Sequence, residues 1–502
     1  MNACTLFKNI YSTCLLIFCT TMVMGLIFTR QTKLSKDVHP ALAFFVLWGL
    51  VIWLNMVEGG QGSLVGLAPI NFELYQASHP TTFVSTKLAH AGDNLDRYLM
   101  GRQFMVIFIA FTINLSGGPL GGSELWGFSK IVLDIFLGSG IAMILMTAMI
   151  GQLNSQVNAS LCMLDYINNY FAVFTFYVAM AIEATGLMNY SYLIQKIVAK
   201  LSGKPIISNE APRNFGQNIC FWGRVLLSIA VLCFALAVTL EALFNGQTTM
   251  WKGVPGVVSV ILFFFLMSII GMLEGMQIAF FAVAKLPKEE RGKAKFAMKT
   301  CDLLFKGSGQ NLPGFMIGRQ VCVTLCFFVV ARVTTLNIVI GEDENVFGVS
   351  DAVQNFFNTG LLGAVITTNL GSISWQLVAS AFPLAFLSNP LVYVLLRICL
   401  FLESTGICSG AWVLAGIHKR VAGFKRDEEY IGTAEERAKN NMADDTDEIG
   451  VGVGHIVKLP VFAGGVIPAG LEELMRQDPS VRDYLVSLSN HGKNNDEEEG
   501  NQ

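Results

Sequence analysis

Long stretches of almost uninterrupted apolar side chains recur along the chain, and they limit its possible folds more than any other feature. About ten such stretches occur, at residues 9–29, 41–57, 104–115, 131–150, 170–193, 222–243, 254–273, 320–340, 352–370 and 391–416. One helical crossing of a bilayer needs about 20 mostly apolar residues. With 53% hydrophobic and only 14% charged residues, the chain is too apolar for an ordinary soluble protein. The sequence therefore predicts an all-α polytopic membrane protein with about ten transmembrane helices.

Four short motifs occur twice, in the same order, once in each half of the chain. They are EGGQ at 58–61 and EGMQ at 274–277, GRQ at 101–103 and 318–320, GQLNSQ at 151–156 and GSISWQ at 371–376, and EATG at 183–186 and ESTG at 403–406. The glutamate of EGxQ precedes the arginine of GRQ by 44 residues in the first half and by 45 in the second. A shared order of four landmarks indicates an internal duplication.

The duplication divides the chain into segments and predicts how the halves are oriented. The expected segments are a first five-helix repeat, an inter-repeat linker, a second five-helix repeat and a soluble C-terminal tail, at 1–200, 201–221, 222–420 and 421–502. Because each half has an odd number of spans, the second must enter the membrane from the opposite side. Such inverted repeats are a common architecture of secondary transporters, which place their binding sites where the halves meet.

The polar residues of EGxQ and GRQ are the first candidates for a functional site. On a helix, Glu58 and Gln61 share one face, as do Glu274 and Gln277. The flanking glycines allow the backbone to unwind, so a discontinuous helix is expected at each EGxQ. Ionisable side chains at membrane depth are costly and usually serve function.

Each GRQ motif supplies a counter-charge and an amide for these glutamates. Arg102 and Arg319 are each followed by a glutamine, Gln103 and Gln320, that can both donate and accept. Buried ion pairs that only fix helix packing are the alternative interpretation. Six further polar residues of the other repeated motifs fit either a substrate route or interhelical hydrogen bonds, namely Gln156, Glu183, Thr185, Gln376, Glu403 and Thr405.

The end of the chain has a different composition from the rest. Residues 427–502 contain 17 acidic and 6 basic side chains, which indicates a solvated acidic segment. Residues 471–488 have some helical periodicity, although Pro479 interrupts it. A short helix that contacts a partner protein is therefore possible, whereas a long coiled coil is not expected.

The chain resembles the diatom silicic acid (silicon) transporters. The resemblance is carried by two EGxQ motifs, each followed about 40 residues later by GRQ, in a duplicated ten-span pattern with a polar tail. The resemblance implies sodium-coupled uptake of orthosilicic acid across the plasma membrane, with intracellular vesicle membranes as the alternative location, to supply silica for the cell wall. It assigns the substrate route to Glu58, Gln61, Gly101, Arg102, Gln103, Glu274, Gln277, Gly318, Arg319 and Gln320. Many family members carry a C-terminal coiled coil, and this tail departs from that pattern.

The chemistry of these residues is consistent with that substrate. Orthosilicic acid is a neutral tetrahedron of four hydroxyl groups, so its site needs clustered donors and acceptors, which Glu, Gln and Arg supply. Boric acid, a polyol or a small oxyanion could use the same groups. The expected coupling ion, sodium, should bind unwound backbone carbonyls near the EGxQ segments, although its individual ligands are not assigned.

Other classes of protein fit the sequence less well. It has no GxxxxGK[ST] motif, which excludes a P-loop pump, and neither a nucleic-acid partner nor an organic cofactor is expected. An enzyme is disfavoured because HExxH is missing and all six histidines fall outside the apolar stretches. A passive channel is the remaining alternative function, and uptake against a concentration gradient would exclude it.

Overall fold

The computed structural model describes residues 3–67, 70–203, 213–251, 253–284, 294–304 and 311–432. These residues form helices and no strands. Seven of the described helices are long and apolar enough to cross a membrane, and a helix pair bent by 49° adds an eighth candidate. The protein is an all-α polytopic membrane protein, as predicted.

The described residues of the first half form eleven helices. They are α1 (Ala3–Phe28), α2 (Lys33–Asp37), α3 (Pro40–Gly66), α4 (Pro80–Ala89), α5 (Asn94–Gly117), α6 (Lys130–Leu133), α7 (Ile141–Met146), α8 (Asn154–Leu161), α9 (Met163–Ile167), α10 (Tyr170–Ala184) and α11 (Tyr190–Ser202). A 3-10 turn at Phe72–Tyr75 and π-helical segments at Asp134–Gly138 and Thr147–Leu153 complete this half.

The second half contains another eleven described helices. They are α12 (Phe215–Phe244), α13 (Gly256–Ala284), α14 (Lys295–Leu304), α15 (Asn311–Thr334), α16 (Asp351–Phe357), α17 (Leu361–Ile366), α18 (Ser374–Ala381), α19 (Pro383–Leu387), α20 (Pro390–Ser404), α21 (Gly410–Ala422) and α22 (Glu428–Ile431). A 3-10 turn lies at Val346–Gly348 and a π-helical segment at Thr367–Ile373. Helix α12 begins inside the predicted linker 201–221.

The two halves have the same order of elements. Helices α3 to α5 and α7 to α11 recur as α13 to α15 and α17 to α21, and a π-helical segment precedes both α8 and α18. Glycines with positive φ recur at equivalent positions, in the pairs Gly140 and Gly360, Gly186 and Gly406, and Gly203 and Gly423. The described backbone is therefore consistent with the duplication, while its inversion across the membrane stays a prediction.

The described residues contain fewer spanning candidates than the ten that hydropathy predicts. The apolar stretches 170–193 and 391–416 are each divided into two helices, at Gly186 and Gly406. Glycine in the left-handed region ends a helix, and the hydroxyl of the preceding threonine accepts a hydrogen bond from the N–H two residues further on. Helices α10 and α20 have 15 residues each, shorter than the usual span.

The first helix of each half contacts the last helix region of the other half. Ser12 of α1 donates a hydrogen bond to the Ile407 carbonyl at 2.6 Å. Ser228 of α12 donates to the Leu187 carbonyl at 2.7 Å. These contacts are equivalent in the two repeats, so the halves interlock and bury a shared interface.

The segment that follows α21 binds back onto the first half. The carboxylate of Asp427 accepts hydrogen bonds from the backbone N–H groups of Met163 and Leu164, both at 2.9 Å, at the start of α9. The N–H of Lys425 donates to Asp165 at 2.7 Å. Burial raises the pKa of the Asp427 carboxyl above its ordinary value. The first part of the predicted tail is therefore held against α9, and residues 433–502, with the predicted helix at 471–488, lie outside the described residues.

Asp427→Ala is expected to loosen α9, because two backbone donors lose their acceptor. Losing such a cap costs about 1–2 kcal/mol. Hydrogen exchange should therefore become roughly tenfold faster at residues 163–167. Glu429 is exposed in the same segment, so Glu429→Ala should leave this exchange unchanged. Equal exchange in both variants would show that Asp427 does not hold α9.

Candidate substrate site

The charged and amide side chains of the EGxQ and GRQ motifs, other than Gln61 and Gln277, lie in the buried centre of the molecule. Six of them are only 3–7% exposed, namely Glu58, Arg102, Gln103, Glu274, Arg319 and Gln320. Helices α3 and α5 carry the residues of the first half, and α13 and α15 carry those of the second. Buried charges need partners, so their contacts define what this centre can do.

In the first half, one arginine connects three acceptors. Arg102 Nη2 lies 2.5 Å from Glu58 Oε2, and Arg102 Nη1 donates to Gln103 Oε1 at 2.9 Å. Its Nε donates to the Val57 carbonyl at 3.5 Å. The predicted pairing of Glu58 with Arg102 is present in the structure.

The second half repeats this arrangement with one donor left over. Arg319 Nη1 donates to Glu274 Oε1 at 3.3 Å, and Nη2 donates to Gln320 Oε1 at 3.0 Å. Arg319 Nε is buried and has no hydrogen-bond partner among the described residues. A buried unpartnered donor is rare and suits an oxygen atom of a ligand.

Two glutamines that follow the π-helical segments contact these glutamates. Gln156 of α8 donates to Glu58 Oε2 at 3.4 Å, and Gln376 of α18 donates to Glu274 Oε2 at 2.9 Å. π-Helical turns inside α-helices are frequently found at functional sites. The structure thus places both glutamines beside the carboxylates of EGxQ.

Contacts between the halves join the two sets of residues. Gln156 Nε2 donates to Gln320 Oε1 at 3.3 Å. Thr324 Oγ1 donates a hydrogen bond to Gln152 Oε1 at 2.5 Å, and Gln152 Nε2 donates one to Glu58 Oε1 at 3.3 Å. A continuous polar network, called the central network here, therefore runs from Glu58 through Gln156, Gln320 and Arg319 to Glu274.

The sequence did not indicate that Gln152 and Thr324 belong to the site. Gln152 lies inside the repeated motif at 151–156, but its counterpart in the second half is Ser372. Thr324 lies one helical turn after Gln320, and its counterpart in the first half is Ile107. Spacing from the GRQ motif is the one signal that could have indicated Thr324.

The expected break in the helices at EGxQ is wrong. Helices α3 and α13 continue through Glu58 and Glu274. The glycines instead give room to aromatic rings, because a Cβ on Gly59 would overlap the ring of Tyr166 and one on Gly275 would lie 2.6 Å from the ring of Phe386. The irregular backbone lies in the π-helical segments instead.

The remaining residues of the predicted route have other surroundings. The side chains of Gln61 and Gln277 are half-buried, and neither side chain makes a hydrogen bond to the described part of the chain. A Cβ on Gly101 would overlap the Ala179 carbonyl oxygen, and one on Gly318 would overlap that of Cys399. The two GRQ glycines therefore let α5 cross α10, and α15 cross α20, at close range.

The glutamates of EATG and ESTG lie outside the central network. Glu183 is buried and pairs with Arg97 at 3.0 Å and Arg224 at 3.4 Å, which indicates a structural role. Glu403 is half-buried and lines a small cavity beside Trp412. Thr185 and Thr405 are exposed at the ends of α10 and α20.

The protein is polytopic and helical, and a charge-balanced polar network is buried between its two repeated halves. These features are typical of a membrane transport protein. The sequence model of the silicon transporter family matches residues 1–488, and the chain belongs to this family. It is accordingly a transporter of silicic acid. Comparison with curated proteins and with solved structures gives no match.

Proposed function

We propose that the protein takes up orthosilicic acid together with sodium by alternating access, and that the substrate binds along the central network. The observation that carries this proposal is the position of the network, which connects the EGxQ and GRQ residues of both halves where the halves meet. Inverted-repeat transporters hold their substrate at such an interface. The plasma membrane is the proposed location.

The charges of the network suit a neutral solute. Glu58 pairs with Arg102 and Glu274 with Arg319, so two negative and two positive charges balance. A site without net charge neither needs an ionised substrate nor strongly attracts one. This favours orthosilicic acid, or boric acid as the alternative, over a small oxyanion.

The central network contains both hydrogen-bond donors and acceptors for a tetrahedral polyhydroxyl molecule. The carboxylates and the glutamine oxygens accept from its hydroxyl groups, while amide and guanidinium groups donate to its oxygens. Arg319 Nε, buried and without a partner among the described residues, is the proposed donor to a substrate oxygen.

The proposed ligands of sodium lie in the two π-helical segments, because the backbone at EGxQ is regular helix. Thr147 Oγ1 and Asn369 Oδ1 are buried oxygens without a hydrogen-bond partner among the described residues, one in each segment. Hard cations such as sodium prefer oxygen ligands, and irregular backbone near such oxygens adds carbonyl groups.

Uptake of silicic acid into vesicles tests the coupling. With an inward sodium gradient, silicic acid should accumulate above its external concentration, and choline in place of sodium should abolish this accumulation. A passive channel would only equilibrate the solute, and equal uptake in choline would contradict sodium coupling. Competition by boric acid at similar concentrations would favour the broader substrate class.

Two matched variants test the sodium ligands. Thr147→Val is expected to raise the sodium concentration for half-maximal uptake about fivefold, because one neutral oxygen ligand is worth roughly 1 kcal/mol. Thr239 is also a buried threonine with an unpartnered hydroxyl, but it lies in α12, away from the π-helical segments. Thr239→Val should leave the sodium dependence unchanged. Equal shifts in both variants would remove Thr147 from the proposed site.

A further inference from the structure

One contact in the central network breaks the match between the two halves. Gln156 of the first half donates to Gln320 of the second. The duplication pairs Gln156 with Gln376 and Gln320 with Gln103. No hydrogen bond joins Gln376 to Gln103 within the described part of the chain. The amide pair of Gln156 and Gln320 is therefore hydrogen-bonded, whereas the equivalent pair is not.

The contacts of the four glutamines with the charged residues of their own halves are equivalent. Each arginine donates to the glutamine that follows it, Arg102 to Gln103 and Arg319 to Gln320. Gln376 donates to the glutamate of its own half, Glu274, as its counterpart does in the first half. All four glutamines therefore hold matching positions within their halves, and what differs is how the halves meet.

We propose that Gln103 and Gln376 form a hydrogen bond in the opposite-facing state, and that the two amide pairs are alternate gates of the substrate route. In a transporter built from inverted repeats, the second state arises when the halves exchange conformations, which replaces each cross-half contact by its counterpart. The proposal rests on alternating access, the proposed function. It assigns to the four glutamines a gating role in addition to binding.

A second asymmetry determines which gate is closed at rest. Thr324 donates to Gln152 across the halves at 2.5 Å, beside the closed pair. The counterparts are Ile107, which has no hydroxyl, and Ser372. The additional hydrogen bond favours the state with Gln156 and Gln320 in contact by about 2- to 10-fold in population.

Paired cysteines in the full-length protein test the exchange. One variant carries Gln156→Cys with Gln320→Cys, a second Gln103→Cys with Gln376→Cys, and a mismatched control Gln156→Cys with Gln376→Cys. A protease site inserted in 204–212 separates the halves after treatment with a short bifunctional thiosulfonate, so cross-linked halves stay together on a non-reducing gel. Single-cysteine variants correct for the native thiols.

The two matched pairs should respond in opposite directions to sodium and silicic acid. Without solutes, the first pair should cross-link several-fold more than the second. With both solutes present, the yield of the second pair should rise and that of the first should fall. A second pair that never exceeds the mismatched control, or two yields that rise together, would overturn the proposal.

Thr324→Val provides a test in which the cysteine pairs serve only as reporters. Added to each cysteine pair, it should raise the yield of the second pair 2- to 10-fold, because the resting state loses one hydrogen bond. Within the described residues, the hydroxyl of Thr334 on the same helix bonds only to the carbonyl of Val330 four residues earlier, a bond that Thr324 also makes, with the Gln320 carbonyl. Thr334→Val is therefore the control and should change neither yield. Equal yields in the Thr324→Val and Thr334→Val proteins would contradict the proposed bias.

Uptake by the protein that carries only the protease site separates the two proposals. Sodium-driven accumulation without exchange of the cross-links would defeat the gates and leave the proposed function intact. Exchange of the cross-links with equal uptake in sodium and choline would defeat sodium coupling and leave the gates intact.

Discussion

Gly318→Ala is expected to destabilise the folded protein by about 2–3 kcal/mol, and Gly101→Ala should have a similar effect, because overpacking a rigid contact costs this much. A methyl group on Gly318 would overlap the carbonyl oxygen of Cys399, so α15 and α20 would have to separate. Backbone cannot move aside as the end of a flexible side chain can. Since Gly318 precedes Arg319, this separation would also displace the arginine.

A third glycine supplies the control for this prediction. Gly49 lies in α3, and an ideal Cβ at this position meets no atom within 4 Å. Gly49→Ala should leave stability unchanged or raise it by up to about 1 kcal/mol, since alanine favours helix over glycine. Thermal unfolding in detergent, followed by size-exclusion chromatography, compares the variants. Equal melting temperatures for Gly318→Ala and Gly49→Ala would show that the two helices do not meet as closely as described.

Hydropathy and repeated motifs predicted the all-helical membrane fold, because the length of an apolar stretch and its lack of charge depend on sequence alone. The number of spans was harder to predict. The apolar stretch at 170–193 passes through the turn at Gly186 without any drop in hydrophobicity. The threonine and glycine of EATG and ESTG were the available signal, but the polar residues of these motifs fit a substrate route equally well.

Within the site, the sequence predicted the pairs of Glu58 with Arg102 and Glu274 with Arg319, because both pairs recur with nearly the same spacing. It could not predict contacts between the halves. The hydrogen bond from Thr324 to Gln152 depends on how α15 meets a π-helical segment of the other half, and Thr324 has no polar counterpart. A glycine beside a charge also fits an unwound helix and a closely packed ring equally well.

Arg319→Lys is expected to lower silicic acid uptake about tenfold or more per molecule at the cell surface. Lysine keeps the charge that pairs with Glu274 but replaces a planar fork of five donors by a single ammonium group. It would lose the contact with Gln320 or with the carboxylate, together with the free Nε donor. Losing a charge-assisted hydrogen bond costs about 1.5–3 kcal/mol, which corresponds to roughly tenfold or more in binding. Arg102→Lys should impair uptake less, because Arg102 Nε already donates to the Val57 carbonyl.

Neutral pairs distinguish substrate binding from helix packing. In Glu274→Gln with Arg319→Gln, and in Glu58→Gln with Arg102→Gln, both partners of an ion pair are removed, so no unpaired charge is left buried. If the pairs only fix the helices, both double variants should reach the membrane in normal amount and retain most uptake. If the arginines bind substrate, uptake should fall in the double variants as in the lysine variants, at unchanged surface level. Near-normal uptake in all four variants would contradict the assignment of Arg102 and Arg319 to the substrate route, because the remaining amides would then suffice to bind silicic acid.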